Sequence, residues 1–238
     1  VRGNIHLTKV DSEYPDNKLT GATFEVYKDS NATGNLDDGD ELLGTLTEKE
    51  IGEYSMNDLF YGRYFVKETK APEGFVLDTG VYEVMIDTNG KTYKVENKAG
   101  VGFVNDAMRG NLKIIKTSSD GKVKGFAFRI TGANGYDIIL ETNDKGEIFI
   151  DGLRIGDYTI SEVSNSASSM YVIPADKKAT VKIGSTTIVE MHNVLRDTPK
   201  TGDTTNLPLL YALAGLSAVG IAVCGVIGFK KKKKEDRN

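Results

Sequence analysis

Short stretches in which hydrophobic and polar residues alternate recur through the first 195 positions of the chain. Gly, Asp and Asn cluster between these stretches, and no segment there keeps a helical period. Side chains alternate between the two faces of a β-strand, so this pattern predicts half-buried antiparallel strands and an all-β fold. The clearest apolar sets are Phe24/Val26, Tyr64/Val66, Tyr82/Val84/Ile86 and Tyr158/Ile160.

The pattern occurs twice, which predicts two domains of similar structure. Residues 52–68 align without gaps on residues 146–162, and share a Gly-Glu, a Leu, a Gly-x-Tyr and a final Glu. The openings also match, residues 3–9 with 110–116 and residues 21–26 with 125–130. We therefore predict two tandem β-sandwiches, at residues 1–108 and 109–195, a normal size for this class.

In each repeat, three hydrophobic strand faces end on a polar residue that points to the same side. Residues two apart on a strand share a face, so Lys9 continues the face of Ile5 and Leu7. An unpaired charge is costly to bury, and we expect the three polar residues of a repeat to meet inside its sandwich. They are Lys9, Glu68 and Asn105 in the first repeat, and Lys116, Glu162 and Asn193 in the second.

These residue types have complementary chemistry when water is excluded. Burial can lower the pKa of a lysine by up to about 3–5 units, and a neutral lysine is a nucleophile. Asn offers a carboxamide carbon, and a Glu whose pKa is raised by burial can carry a proton between the two. Such a trio could form a Lys–Asn amide and expel ammonia. The alternative is a set of buried ion pairs or edge residues without covalent chemistry.

The stretch from Tyr64 to Phe75, which contains Glu68-Thr-Lys-Ala-Pro-Glu-Gly, resembles the E-box of Cna B-type (SpaA-like, prealbumin-fold) domains. The opening Lys9-Val-Asp and the closing Phe-Val-Asn105 fit the same family. The resemblance implies two Ig-like, prealbumin-type sandwiches. It also implies intramolecular isopeptide bonds Lys9–Asn105 and Lys116–Asn193, with Glu68 and Glu162 as their catalytic residues. In the second repeat, Val-Ser-Asn-Ser-Ala follows Glu162 in place of Ala-Pro-x-Gly.

An uncharged apolar run, Leu207–Phe229, follows the repeats and is itself followed by five lysines, Lys230–Lys234. As a helix the run would be roughly 35 Å long, enough to cross a bilayer core of about 30 Å. Positive flanking charge sets orientation. The sequence thus predicts a C-terminal transmembrane helix at 207–229 and a cytoplasmic tail at 230–238.

Residues 196–206 link the repeats to this run and contain Thr198-Pro199-Lys200-Thr201-Gly202. Motif, apolar run and basic tail together resemble the sorting signal of Gram-positive LPXTG surface proteins, with Thr198 where that family usually has Leu. The resemblance implies that a sortase cleaves between Thr201 and Gly202 and joins the chain to a peptidoglycan cross-bridge or to another pilin. The membrane would then hold the chain only before cleavage. The alternative is a plain membrane anchor, which leaves Pro-Lys-Thr-Gly unexplained.

Composition narrows the choice of partners and of stabilising chemistry. Residues 1–195 hold 22 basic and 30 acidic side chains, a net charge of −8, which argues against nucleic-acid binding. The single cysteine, Cys224, lies in the apolar run, so the repeats have neither a disulfide nor a Cys-ligated zinc site. The chain starts at Val1 without a leader, and we expect a longer precursor with a signal peptide upstream.

Two other groups of residues could suggest a metal site. Residues 29–40 have oxygen donors at positions 1, 3, 5, 9 and 12 and Gly at position 6, as in a calcium loop. Flanking helices are not predicted and position 12 is Asp40 rather than Glu, so we favour an acidic, solvated hairpin loop. His6 and His192 alternate with apolar residues and point outward. We expect no metal and no cofactor.

These features predict a cell-surface protein, covalently attached to a Gram-positive cell wall, with a mechanical role. It would be the stalk of an adhesin or a pilus subunit, with any host ligand bound by an upstream region. A rival interpretation is that the domains themselves bind a host or matrix ligand, which a broad exposed aromatic or apolar patch would favour. The repeats contain neither a nucleophile–base pairing nor a phosphate loop, so beyond the autocatalytic cross-links we expect no enzyme activity.

Overall fold

The computed structural model describes residues 1–197, which form two β-sandwiches in tandem. Each sandwich packs one sheet against a second sheet. The first contains β1 (Arg2–Asp11), β2 (Thr23–Lys28), β3 (Glu41–Thr45), β4 (Thr47–Glu50), β5 (Glu53–Phe60), β6 (Gly62–Lys70), β7 (Val81–Ile86), β8 (Thr92–Lys94) and β9 (Phe103–Asn105).

The second sandwich repeats this order with eight strands and one 3-10 turn, Ala133–Gly135. The strands are β10 (Arg109–Ser118), β11 (Ala127–Thr131), β12 (Asp137–Glu141), β13 (Glu147–Arg154), β14 (Gly156–Val163), β15 (Tyr171–Val172), β16 (Lys177–Val181) and β17 (Thr186–Leu195). The prediction of an all-β fold with two tandem sandwiches is confirmed for the described residues. Among them, no helix is long and apolar enough to span a membrane. The predicted helix at 207–229 lies outside the described residues.

The first and last strands of each sandwich lie side by side and run parallel. In the second sandwich, β17 pairs with β10 without interruption from Asn111↔Thr186 to Ser118↔Asn193. In the first, the same role is divided between two short strands: β8 pairs with the start of β1, and β9 pairs with its end. All other paired strands are antiparallel. The two sheets of the first sandwich have the strand orders β4-β5-β1-β8 and β3-β2-β6-β7, and β9 also pairs with β1. Those of the second sandwich have the orders β13-β10-β17-β15 and β12-β11-β14-β16.

Each sandwich closes over its own hydrophobic core. In the first, Phe24 is fully buried and meets Tyr54 and Phe103 edge to face, with ring centroids 5.3 and 4.9 Å apart. In the second, Phe126 meets Tyr171 in the same way at 5.2 Å. Aromatic pairs with this geometry add stability beyond the area they bury. Both cores contain inward-facing side chains from both sheets, as the alternating pattern predicts.

A bulge interrupts the first strand at the same position in both sandwiches. The register of β10 against β13 shifts between Gly110 and Leu112, and that of β1 against β5 shifts between Gly3 and Ile5. A Cβ on Gly110 would lie 2.0 Å from the carbonyl oxygen of Lys182. Because real Cβ atoms do not approach backbone so closely, only glycine lets the two chain segments pass each other here.

The two sandwiches are joined by an ion pair between a partly buried arginine and a buried aspartate, which the sequence did not reveal. Arg154 of β13 reaches Asp11 of β1 through two hydrogen bonds, from Nη1 to Oδ2 at 2.6 Å and from Nη2 to Oδ1 at 2.8 Å. It also bonds Glu13 at 2.7 Å and lies 4.8 Å from the ring of Tyr14. Asp11 is 2% exposed. A planar guanidinium suits this bidentate contact, which lysine could not make.

Replacing Arg154 with methionine is expected to lower the free energy of unfolding by about 3–5 kcal/mol, because Asp11 would keep a buried charge without its cation. Guanidinium denaturation measures the loss. The matched control is Arg129→Met, since Arg129 makes a bidentate contact with Asp137 but both side chains are largely exposed. That control should cost less than about 1 kcal/mol. Equal losses in the two variants would contradict a special role for the buried pair.

Candidate functional site

The first sandwich brings Lys9, Glu68 and Asn105 together in its interior. They come from β1, β6 and β9, and their exposed fractions are 0%, 0% and 3%. Asn105 Nδ2 donates to both carboxyl oxygens of Glu68, at 2.8 and 3.1 Å. Lys9 Nζ donates to the carbonyl oxygen of Phe103, two residues before Asn105, at 3.1 Å. The amine, carboxyl group and carboxamide thus share one enclosed space.

Two further residues complete this cluster, and the sequence interpretation did not identify them. The amide of Asp78 donates to Glu68 Oε2 at 2.8 Å. The carboxylate of Asp78 accepts a hydrogen bond from Asn97 Nδ2 at 2.7 Å, and Asn97 also bonds the backbone of Val104. Glu68 is therefore held by a loop on one side and by the last strand on the other. Loop contacts of this kind leave no periodic signal in a sequence.

The second sandwich brings Lys116, Glu162 and Asn193 together in the same way. Their exposed fractions are 1%, 8% and 0%. Asn193 Nδ2 donates to Glu162 Oε1 at 2.6 Å. Lys116 Nζ donates to the carbonyl oxygen of Thr117 and lies 4.1 Å from the centroid of the Phe126 ring.

The strand register is the same in both clusters. In the first sandwich, Lys9 pairs with Phe103 and Asp11 pairs with Asn105 across the parallel strands. In the second, Lys116 pairs with Met191 and Ser118 pairs with Asn193. The lysine and the asparagine are thus offset by two residues on adjacent parallel strands. Residues two apart on a strand point to the same face. In both sandwiches this offset directs the two side chains into the same core.

Burial changes the protonation of these groups in the directions that an amide-forming reaction needs. Loss of solvent lowers the pKa of Lys9 to about 8, although Glu68 opposes the shift. The same cause lowers the pKa of Lys116. Desolvation raises the pKa of Glu68 and of Glu162, so each can take up a proton more readily. Neutral amine and protonated carboxyl are the forms that nucleophilic attack and general-acid catalysis require.

The carboxamide oxygen of the asparagine is buried without a partner in both clusters. The carboxamide oxygens Asn105 Oδ1 and Asn193 Oδ1 accept no hydrogen bond. A buried acceptor without a donor costs about 1–3 kcal/mol. Both sandwiches retain this cost at the same position, and unsatisfied groups of this kind are typical of sites with a chemical role.

The clusters differ where the two repeats differ in sequence. Ala71-Pro-Glu-Gly74 leads from the end of β6 into the loop that contains Asp78, whose amide holds Glu68 Oε2. The second repeat lacks this segment, and there Glu162 Oε2 is buried without a hydrogen-bond partner. The loop that follows the Ala-Pro-x-Gly segment therefore supplies a hydrogen bond to Glu68 that Glu162 lacks. The predicted sorting residues Thr198, Pro199, Lys200, Thr201 and Gly202 lie outside the described residues.

Comparison with known proteins gives a family match and one similar curated protein. The family described as the SpaA prealbumin-like fold domain matches residues 3–99 and 110–195. The chain is 27% identical over 176 residues to the trypsin-resistant surface T6 protein of Streptococcus pyogenes serotype M6. That match covers 72% of this chain and 29% of the T6 protein, so the chain spans under a third of the relative's length.

Solved structures share the fold. The Bacillus anthracis TIE protein matches with a TM-score of 0.61 and 25% identity, over 81% of this chain and 34% of that one. A streptococcal ancillary pilin matches over 82% of this chain and 63% of its own, with 21% identity and a TM-score of 0.36.

The stability of an uncross-linked variant is expected to depend on pH through Lys9. In Asn105→Ala, Lys9 has no carboxamide to react with. Its pKa of about 8 in the folded state lies below the value of 10.5 for a free lysine. At pH values between the two, the unfolded chain therefore binds more protons than the folded chain. Stability should therefore rise from pH 8 to pH 10.5. Urea unfolding at a series of pH values gives the free energy of unfolding of Asn105→Ala and of Lys9→Met/Asn105→Ala. Only in Asn105→Ala should this free energy show the additional rise with pH that Lys9 causes. Identical slopes would contradict a lowered pKa for Lys9.

Proposed function

Because the chain belongs to the SpaA family of prealbumin-like fold domains, we propose that it is a load-bearing part of a Gram-positive surface structure. It is the stalk of an adhesin or a pilus subunit, with each sandwich closed by a Lys–Asn isopeptide bond. One observation carries this proposal. In both sandwiches a buried lysine of the first strand and a buried asparagine of the last strand adjoin one buried glutamate.

The proposed reaction needs only the side chains of each cluster. The neutral Nζ of Lys9 attacks Cγ of Asn105, and the bond from Cγ to Nδ2 breaks. Nδ2 leaves as ammonia after it gains a proton, which Glu68 transfers from the attacking amine. The hydrogen bonds from Nδ2 to Glu68 support this role, because the carboxyl group contacts the nitrogen that leaves. The reaction consumes no water, and proximity supplies roughly 7–11 kcal/mol of such a barrier.

The position of the bond suits a tensile load. Force that enters the first sandwich at Arg2 would run along β1 to Lys9, cross the bond to Asn105 and leave the domain. The residues between Lys9 and Asn105 would carry none of it. In the second sandwich, Lys116 and Asn193 would bypass the intervening residues in the same way. Pulling would then load covalent bonds rather than the hydrogen bonds between parallel strands.

The same bond would protect the domain from unfolding. By analogy with a disulfide, closing a loop of about 100 residues constrains the unfolded chain by about 4–5 kcal/mol. The T6 relative is named for its resistance to trypsin and its place on the surface. An outside protein with no cysteine in its folded domains needs a cross-link of another kind, and an amide is not reducible.

The attachment to the wall rests on the sequence. We propose that a sortase recognises Thr198–Gly202, cleaves after Thr201 and joins the new carboxyl group to a peptidoglycan cross-bridge or another pilin. The apolar run Leu207–Phe229 and the lysines after it would hold the precursor in the membrane until cleavage.

Intact mass spectrometry tests the cross-links. The wild-type chain should be lighter than its sequence mass by two molecules of ammonia. Glu68→Gln should lose only one, because its first sandwich lacks the proton carrier. Glu83→Gln is the control, since Glu83 is half exposed on the neighbouring strand β7, and it should still lose two. A wild-type chain of full sequence mass would refute the bonds, and two losses in Glu68→Gln would refute the role of Glu68.

Fractionation of a Gram-positive host tests the attachment. The wild-type chain should leave the cells only after the wall is digested, and it should then carry wall fragments. Thr201→Ala should instead stay in the membrane and dissolve in detergent. Thr204→Ala, three residues further on, should behave as the wild type. If detergent alone released the wild-type chain, it would have a plain membrane anchor.

A further inference from the structure

The hairpin loop between β2 and β3, residues 29–40, is the main difference between the two sandwiches. The equivalent loop of the second sandwich, between β11 and β12, spans residues 132–136 and contains no acidic residue. The first loop has twelve residues, four of which are aspartates. The fold itself therefore does not require this insertion, and its composition calls for a separate explanation.

Three oxygen atoms of the loop lie within hydrogen-bond distance of the hydroxyl of Thr33. Thr33 Oγ1 lies 2.9 Å from Asp37 Oδ2, 3.0 Å from the carbonyl oxygen of Asn35 and 3.2 Å from Asn31 Oδ1. These donors occupy positions 3, 5, 7 and 9 of the twelve. Calcium loops supply their ligands from the same positions, including a backbone carbonyl at position 7.

Position 1 contributes a carboxylate with one oxygen that has no partner. The side chain of Asp29 is 3% exposed, and its Oδ1 has no hydrogen-bond partner. Its Oδ2 accepts the amide of Gly34 at 3.2 Å and lies 3.4 Å from Nη1 of Arg63, so the carboxyl group lies against the loop. Leaving a buried carboxylate oxygen unsatisfied is costly. A bound cation would satisfy it.

Gly34, at position 6, permits the sharp turn between these donors. Its φ is +80°, which side chains rarely adopt, and a Cβ there would lie 2.4 Å from Nη1 of Arg63. Position 12, Asp40, closes the loop, because its carboxylate accepts the amides of Ser30 and Asp37. The loop is therefore closed by hydrogen bonds between the Asp40 side chain and its own backbone amides before any ion binds.

We propose that the β2–β3 loop binds Ca²⁺ through Asp29, Asn31, Thr33, Asp37 and the carbonyl group of Asn35. No three His, Cys, Asp or Glu side chains within residues 1–197 are arranged to hold a metal. The proposed donor set is different, since an amide, a hydroxyl and a carbonyl oxygen accompany two carboxylates. Such a set suits calcium, which accepts six to eight oxygen ligands in flexible geometry, better than magnesium, which demands a strict octahedron.

The contacts of Asp37 place its carboxylate beside the other proposed ligands. Its Oδ2 accepts the hydroxyl of Thr33 at 2.9 Å, and its Oδ1 accepts Nδ2 of Asn31 at 2.7 Å and the amide of Gly39 at 2.8 Å. The loop is a hairpin loop, as the sequence predicts, and strands β2 and β3 hold its two ends in place of the helices that flank an EF-hand loop.

Isothermal titration calorimetry of the full chain in detergent, after treatment with a chelator, tests the proposal. CaCl₂ should bind at one site with a Kd of about 0.1–1 mM, the range of extracellular calcium modules. MgCl₂ should bind at least about tenfold more weakly. The absence of saturable heat up to about 10 mM CaCl₂ would overturn the proposal.

Three variants separate ligation from general charge. Asp37→Asn and Thr33→Val should each weaken calcium binding at least about tenfold, and Thr33→Val does so without a change of charge. Asp38→Asn is the matched control, because Asp38 is exposed and is not one of the proposed ligands. Its Kd should stay within about threefold of the wild type. If Asp38→Asn weakened binding as much as Asp37→Asn, the loop would attract calcium only through its net charge, and the assigned ligands would be wrong.

Discussion

The structure depends on two lysine amines held in dry β-sandwich interiors. Lys9 and Lys116 are buried, and each has a carboxyl group and a carboxamide beside it in place of water. A buried charge is tolerated only with partners, and a buried amine becomes less basic. The parallel pairing of first and last strands helps to provide those partners, because it places the lysine-bearing strand beside the asparagine-bearing strand. This single constraint unites the fold, the shifted pKa values and the proposed covalent bond.

The two sandwiches support this cluster to different degrees. In the first, the loop after Ala71-Pro-Glu-Gly74 adds the amide of Asp78 to Glu68, and Asn97 supports Asp78 in turn. In the second, Glu162 has only Asn193 as a hydrogen-bond partner among these groups, and its other oxygen is unpaired. The geometry common to both is the strand register. The register therefore defines the cluster, and the loop refines the position of one carboxyl group.

A second ion pair, with a buried carboxylate, links the two sandwiches. Arg154 of the second sandwich bonds Asp11, which lies two residues after Lys9 on the same strand. The contact between the domains thus adjoins the first cluster, while the calcium loop that we propose lies in a different hairpin. In the load-bearing role that we propose, this contact would limit how far the two domains reorient under tension.

The sequence by itself determined the fold class and the residue types of the site. Periodicity reports which face of a strand is buried, and it assigned all three members of each trio to apolar faces. It does not fix where a short strand begins and ends, as in β9, which has only three residues. Tertiary structure alone decided which loops and strands meet, such as Arg154 with Asp11 and Asp78 with Glu68, and it brought three oxygens of one loop around the hydroxyl of Thr33. Such contacts depend on where loops cross in space, and a local pattern of polarity contains no information about that crossing.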